Sequence, residues 1–238
     1  MEINDRILIN HKISAPRIVL GSFPTWAIAK NSFGLDSSER EKQRIKNGDV
    51  NFFFGSSVNK FWDWYRKYID EKIIVNDISS IKNSLDEKSI VITDIIKSCE
   101  RKGKSSLDRD LKARVYNYDF FNYPNEKEKL KLLCTSKGIL DKMLMTKQFF
   151  KLHPKITLDE KLTNDLIDSI VDKFNFIPTK KPVNVAKVLR LQDGGVIECL
   201  SIPSPGSPYR NLDKFGLTNK DSNEFLHEYL NLSFKWFS

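Results

Sequence analysis

Four short runs of aliphatic and β-branched residues, each closed by turn formers, constrain this fold more than any other feature of the chain. They are Arg17-Ile-Val-Leu20, Ser89-Ile-Val-Ile92, Lys129-Leu-Lys-Leu-Leu133 and Val196-Ile-Glu-Cys-Leu-Ser-Ile202. Continuous apolar runs of this length read as strands buried on both faces. Between them lie segments whose apolar residues recur at helical spacing, notably Lys60-Phe-Trp-Asp-Trp-Tyr-Arg-Lys-Tyr-Ile69 and Leu162-Thr-Asn-Asp-Leu-Ile-Asp-Ser-Ile-Val171. Strand alternating with helix predicts an α/β protein with a short, mainly parallel central sheet covered by helices on both faces.

A chain of 238 residues with 40% hydrophobic content can bury one substantial core, and residues 1–238 read as a single domain. The polar, charged stretch 30–51 reads as an exposed insertion with one helix through residues 38–44, and 146–182 as a second. A hairpin is expected to turn at Asp193-Gly-Gly195, where glycine permits positive φ.

Lys and Arg outnumber Asp and Glu by 39 to 31, a formal charge of +8, which favours a polyanionic partner such as nucleic acid. An ordinary solvated lysine surface has the same composition. Three widely spaced cysteines, Cys99, Cys134 and Cys199, argue against a disulfide framework, a Cys-x-x-Cys metal site or a four-thiolate iron–sulfur cluster. No apolar run is long enough to span a bilayer, and the start of the chain has no signal-peptide pattern. The expectation is a cytoplasmic monomer without membrane, metal or cofactor.

In an open α/β sheet the ligand crevice lies beyond the carboxyl ends of the strands. Here those ends read Gly21-Ser-Phe-Pro-Thr-Trp26, Thr93-Asp-Ile-Ile-Lys-Ser-Cys-Glu-Arg101, Cys134-Thr-Ser-Lys-Gly138 and Pro203-Ser-Pro-Gly-Ser-Pro-Tyr-Arg210. Small, hydroxylated, Gly and Pro residues suit close approach of a planar base or a phosphate backbone. No Gly-x-Gly-x-x-Gly, Walker-type loop or Gly-x-Ser-x-Gly elbow is present, which disfavours a nucleotide-binding or hydrolytic α/β enzyme.

These segments carry a family resemblance. Gly21-Ser-Phe-Pro-Thr25 followed by Phe52-Phe-Phe-Gly-Ser-Ser-Val-Asn-Lys-Phe-Trp62 resembles a Gly-x-x-Pro loop preceding an Asn-x-Phe-Trp segment. Thr93 to Gly103, with Ser106-Leu-Asp108 behind it, resembles a Trp-Asp-Val…Ser-Cys-x-Arg-x-Gly-Ser-Leu-Asp stretch, and Ile202 to Pro208 resembles a Pro-Ser-x-Ser-Pro loop with one residue inserted. The family is the uracil-DNA glycosylase superfamily, nearest its hypoxanthine-DNA glycosylase and mismatch-specific (G/U, thymine) branch. The resemblance covers Arg17 to Arg210 as islands. Ser57-Val58 stands where that branch has His-Pro or Asn-Pro, and Thr135-Ser-Lys-Gly138 where it has Asn-Gly.

The resemblance implies a three-layer α/β/α domain and a monofunctional DNA glycosylase that hydrolyses the N-glycosidic bond of a deaminated or otherwise modified base flipped out of DNA, as in base-excision repair. Such chemistry needs an oriented water and donors to the departing base. Unstacking the target costs about a few kcal/mol, and apolar surfaces then hold it.

By the motif match Asn59 positions the water; as a residue it is equally a helix N-cap before Phe61. Asp94 is a second catalytic candidate, or the N-cap of a helix over Ile95 to Glu100. Gly21, Ser22, Phe23, Pro24, Thr25, Phe54, Thr135 and Ser136 are the substrate-binding candidates, with Trp26 as a further aromatic wall. For DNA contact the candidates are Ser98, Arg101, Lys137, Ser204, Gly206, Ser207, Pro208, Tyr209 and Arg210. Against these roles stand an Arg101–Glu100 pair on a solvated helix face, a purely structural Pro-rich turn, and a plain strand-to-helix turn at Gly138. The altered Thr135-Ser136 site also leaves open a catalytically inactive glycosylase-fold protein that binds DNA or senses modified bases.

Overall fold

The computed structural model describes residues 2–3, 17–24, 48–50, 52–103, 107–118, 129–175, 182, 184–217 and 222–238. Most of the 30–51 stretch, with its expected helix, lies outside the described residues, as do Thr25, Trp26 and Ser106.

A six-stranded, mostly parallel sheet organises the chain. Its strands are β2 (Arg17–Gly21), β3 (Ile90–Asp94), β6 (Leu130–Cys134), β7 (Ile156–Leu158), β8 (Ala186–Leu191) and β9 (Val196–Ser201), in the order β3-β2-β6-β9-β8-β7. The first four in that order are mutually parallel, and they are the four apolar runs of the sequence. β8 joins β9 antiparallel through the expected glycine hairpin, in which Gly194 has φ +90°. β7 closes that edge antiparallel to β8, so part of the stretch read as an insertion belongs to the sheet.

Side chains alternate across the pleat, as strand geometry requires. Val19, Ile90, Ile92, Leu133, Val188 and Leu200 enter one buried cluster, while Ile18, Leu20, Leu132, Cys134, Leu189 and Cys199 enter another. Burial of both sets explains why these strands appear as unbroken apolar runs.

The first cluster is covered by helices α1 (Phe61–Tyr68), α2 (Ile78–Glu87), α4 (Glu160–Val171) and α5 (Ser222–Phe237). α1 presents Phe61, Trp62, Trp64 and Tyr65 to it. The second cluster contains Ile139, Leu140, Met143, Leu144 and Phe149 from a helical turn at Lys137–Ile139, a π-helical turn at Leu140–Leu144 and helix α3 (Lys147–Leu152). It also takes Ile96, Cys99 and Leu111 from a small sheet of β1 (Glu2–Ile3), β4 (Ile96–Arg101) and β5 (Leu111–Tyr116), ordered β1-β4-β5.

β4 corrects the sequence reading of a helix over Ile95 to Glu100. The amides of Ile95 and Ile96 donate sideways to the carbonyls of Gly21 (2.9 Å) and Ser22 (3.0 Å), and β4 pairs antiparallel with both β1 and β5. The tertiary partners on both flanks override the helical spacing of the run. Asp94 therefore ends a strand and caps no helix.

α4 is capped by Asp159, which accepts from the Leu162 amide (2.9 Å) and from Arg190 of β8 (2.8 and 3.1 Å). The amide bond, followed by the guanidinium, holds the Asp159 carboxyl below its ordinary value. Because the folded form binds its proton less tightly than the unfolded form, the stabilisation is present at neutral pH and is lost as pH falls through the depressed value. Asp159→Ala is expected to be less stable than wild type at pH 7, with the gap narrowing below about pH 4. Urea unfolding at both pH values checks this, and an equal gap at both would contradict it.

Candidate functional site

Parallel pairing aligns the ends of β3, β2, β6 and β9 along one edge. Gly21 sits opposite Asp94, Leu20 opposite Cys134, and Cys134 opposite Ser201. Backbone pairing continues past the last strand residues: Thr135 N donates to Leu20 O (3.0 Å), Ile202 N to Cys134 O (2.9 Å), and Ile95 N to Gly21 O. The four post-strand segments therefore start side by side. The Asn59 segment joins them through Lys60 N, which donates to Pro205 O (3.0 Å).

Gly21 is the tightest point. A β-carbon on it would lie 2.0 Å from Oδ1 of Asp94 and 3.2 Å from the Phe54 ring, so the carboxylate and the ring both pack against a bare Cα. Phe54 holds a left-handed φ of 55° and packs its ring on Phe61, centroids 4.4 Å apart. A non-glycine residue in that region is strained, and such strain concentrates at functional sites.

The Gly21–Pro24 loop is clamped from the small sheet. Arg101 Nη2 donates to Pro24 O (2.6 Å), and its guanidinium carbon lies 5.4 Å from the centroid of the Phe23 ring. Phe23 is buried in the second cluster, so one face of the ring already has a cationic neighbour. Arg101 thus reaches this loop from the end of a strand, so the alternative of a Glu100 pair on a helix face does not arise. Ser98 sits inside β4, buried between β1 and β5.

Other candidates have structural partners. Asn59 Oδ1 accepts from the Phe61 amide (2.9 Å), but the N-cap of α1 is Lys60, which has no side-chain cap bond, so Asn59 sits one residue ahead of the capping position expected for it. Ser136 accepts from Ile139 N (3.2 Å), and Lys137 pairs with Asp141 one turn later. Thr135 is buried and donates to Leu20 O (3.2 Å). In the Pro-rich loop, Ser207 N donates to Ser204 O and Arg210 N to Ser207 O, giving two consecutive turns that display Gly206, Tyr209 and Arg210 at the surface, with Ser207 and Pro208 half-exposed. The Tyr209 hydroxyl donates to Asn223 of α5 (2.9 Å).

Two residues at this edge come from outside the four loops. Asn117, just after β5, donates through Nδ2 to Asp94 O (3.2 Å) and Thr93 Oγ1 (3.4 Å), and its Oδ1 is, among the described residues, the one buried side-chain oxygen or nitrogen without a hydrogen-bond partner. An unsatisfied buried acceptor costs roughly 1–3 kcal/mol, which other contacts of the fold must offset. Burial pushes the Asp108 carboxyl above its ordinary value, against the opposing pull of Ser22, Arg114 and Arg101. Local sequence carries no signal for Asn117; Asp108 is visible only as the end of the Ser-Leu-Asp match.

Of the described residues, none form a group of three or more His, Cys, Asp or Glu able to hold a metal ion, and no helix is long and apolar enough to cross a membrane. Cys99, Cys134 and Cys199 are buried free thiols, and desolvation raises those of Cys134 and Cys199 well above the usual range. They are poor nucleophiles and poor ligands in this state. Comparisons with protein-family models, curated proteins and solved structures find no match to this chain.

The edge thus gathers a buried carboxylate (Asp94), an orphan amide oxygen (Asn117), two aromatic rings and a run of backbone held flush by glycine. Gly21→Ala is expected to cost on the order of 1–3 kcal/mol, since Asp94 or the loop must shift to admit the methyl group. Urea unfolding measures this, and an unchanged midpoint would mean that the carboxylate swings aside freely.

Proposed function

We propose that this chain is a uracil-DNA glycosylase-like domain of three α/β/α layers that removes a modified base from DNA without a metal. The observation that carries the reading is the meeting of Gly21–Pro24, Asp94, Thr135–Ser136, Asn59 and the Pro203–Arg210 loop along one strand edge, where the sequence motifs of the resemblance also fall. A base swung out of its stack needs a narrow, largely apolar slot with few polar groups. Phe54 and Phe23 beside Gly21 supply such walls, and the flush backbone permits close approach.

As the bond breaks, positive charge builds on the sugar and negative charge on the departing base. The buried Asp94 carboxyl supplies an acceptor for an attacking water on the sugar side. Asn59 keeps its Nδ2 donor and the second lone pair of Oδ1 for orienting that water, because the Phe61 amide uses one lone pair only. The exposed turns at Gly206–Arg210, with the net charge of +8, suit the phosphate backbone.

One observation favours a second reading, a glycosylase-fold protein that binds modified DNA without cutting it. Asn59 Oδ1 already serves the helix and Lys137 is already paired, so two polar groups of the motifs have structural work.

A panel of duplexes carrying uracil, hypoxanthine, xanthine or bulky phage-type bases separates the readings. The glycosylase leaves alkali-labile abasic sites, whereas the sensor binds with salt-dependent affinity and leaves none. Asn59→Ala is expected to lose about 1 kcal/mol of stability with the bond to the Phe61 amide. It should keep DNA affinity and release base on the order of 10²-fold more slowly. Unchanged single-turnover release would remove Asn59 from the mechanism.

A further inference from the structure

The turn from Val50 to Gly55 presents one aromatic ring to the strand edge under unusual constraint. Three backbone bonds close it: Val50 N donates to Gly55 O (2.6 Å), Phe52 N to Val50 O (2.7 Å) and Gly55 N to Phe52 O (3.1 Å). Two further bonds brace it. At the tip, the indole Nε1 of Trp62 in α1 donates to Phe53 O (2.8 Å) in a buried bond, and at the neck Ser57 N donates to Asp49 Oδ1 (2.7 Å). Asn59 N then donates to Ser56 O (2.8 Å), so the same turn also sets the place of Asn59.

The residue types in this turn do not follow what the backbone alone prefers. Its left-handed position, with φ 55°, favours glycine and carries Phe54. Glycine stands next in the chain without a left-handed φ, where a β-carbon would lie 1.9 Å from Val50 O and 2.8 Å from Phe52 O. A bulky ring kept where glycine would relieve the strain points to a use for that side chain beyond closing the turn. The ring places Cε1 and Cζ 3.2 Å from the β-carbon position of Gly21 and packs on Phe61, yet Phe54 is only half-buried.

We propose that Trp62 and Asp49 are positioning residues: by bracing this turn at its tip and its neck they hold the Phe54 ring against Gly21 before any ligand arrives, as a preformed platform for a flat ring. That the flat ring is a base flipped out of DNA rests on the glycosylase reading; the brace does not. Neither residue needs to touch the ligand. A buried carbonyl at the tip of a turn requires a donor, and the N–H of an indole packed within the core supplies one in a fixed place. Holding the ring in advance avoids the entropy of ordering it on binding. A displacement of about 1 Å at such a wall is enough to slow a reaction on the order of a hundredfold.

Two measurements on the full chain test this. The Gly21 α-protons report on the ring without any ligand, because the ring current of Phe54 displaces their NMR signals from the ordinary glycine position. Phe54→Leu is expected to return them to it, which assigns the effect. Trp62→Phe, which keeps an aromatic side chain and loses the N–H, and Asp49→Ala are each expected to move them part of the way. Asp49→Asn, whose amide oxygen can still accept from Ser57 N, is expected to leave them at the wild-type position. The Asp49–Ser57 bond is exposed, so the Asp49 variants decide if Trp62→Phe does not fold. Gly21 signals unmoved in Asp49→Ala and in any folded Trp62→Phe overturn the brace. In single-turnover release from a duplex containing one uracil or one hypoxanthine, Asp49→Ala and Trp62→Phe are expected to be about tenfold slower with duplex affinity unchanged, and Asp49→Asn to match wild type. Release at the wild-type rate from variants whose Gly21 signals have moved overturns the platform and leaves the glycosylase reading standing. No release by wild type from either duplex removes the glycosylase reading, and the Gly21 signals then decide the brace alone.

Discussion

Register between parallel strands is the constraint on which the rest of this molecule depends. Loops that follow four strands can face one ligand only if the strands stop at the same height. Here the pairing of β2 with β3 and β6, and of β6 with β9, holds to the final residue and then continues as single hydrogen bonds into the loops. A one-residue slip in any pair would turn every side chain of that strand to the opposite cluster. The two clusters penalise such a slip, since the residues on each side are almost completely buried. Packing of the core thereby sets the position of the loops to within a residue.

Around this frame the strand edge concentrates features that are costly elsewhere. Asp94 is a carboxylate 4% exposed, Asn117 carries an oxygen with no partner, and Phe54 adopts a left-handed backbone. Each lies at the strand edge or packs directly on Gly21. Protein interiors seldom keep an unsatisfied acceptor without a use for it. Under the proposed function, their meeting at the ends of the strands is the expected compromise between a stable scaffold and a site kept ready for a ligand.

The parallel strands and the hairpin were legible in sequence because burial on both faces writes itself as a continuous apolar run, and because Asp193-Gly-Gly195 allows few conformations other than a turn. β4 was not legible. Ile96 and Cys99, with Ile95 just before the strand, fit a helical face as well as a strand, and only the neighbouring β1 and β5 decide the matter. Likewise the stretch 146–182 reads as an insertion, and although its helical pattern over Leu162–Val171 was visible and α4 buries Leu166, Ile167 and Ile170, no pattern announced that β7 extends the edge of the main sheet. The site was readable as a set of strand ends. Asn117 and Asp108 were not, because their proximity to Asp94 and Ser22 arises from the docking of the small sheet, which no local pattern encodes. Asn59 shows the converse limit: one side chain fits a capping rule and a motif at once, and only the structure shows that its oxygen serves the Phe61 amide while Lys60 takes the N-cap position.

The last helix reaches the same edge from the far end of the chain. Tyr229 of α5 is fully buried and donates its hydroxyl to Ser201 O (2.7 Å), at the point where β9 gives way to the Pro-rich loop. The strands brought together there begin near residues 17, 90, 130 and 196. Contacts so distant in sequence form slowly, because large loops must close before any of them is rewarded. A nascent chain therefore emerges from the ribosome with β2 and β3 able to pair but with no pocket, and exposes apolar strand flanks until β6, β9 and finally α5 arrive. In such a topology the aligned strand edge is complete only when the last of these contacts has formed, instead of growing contact by contact.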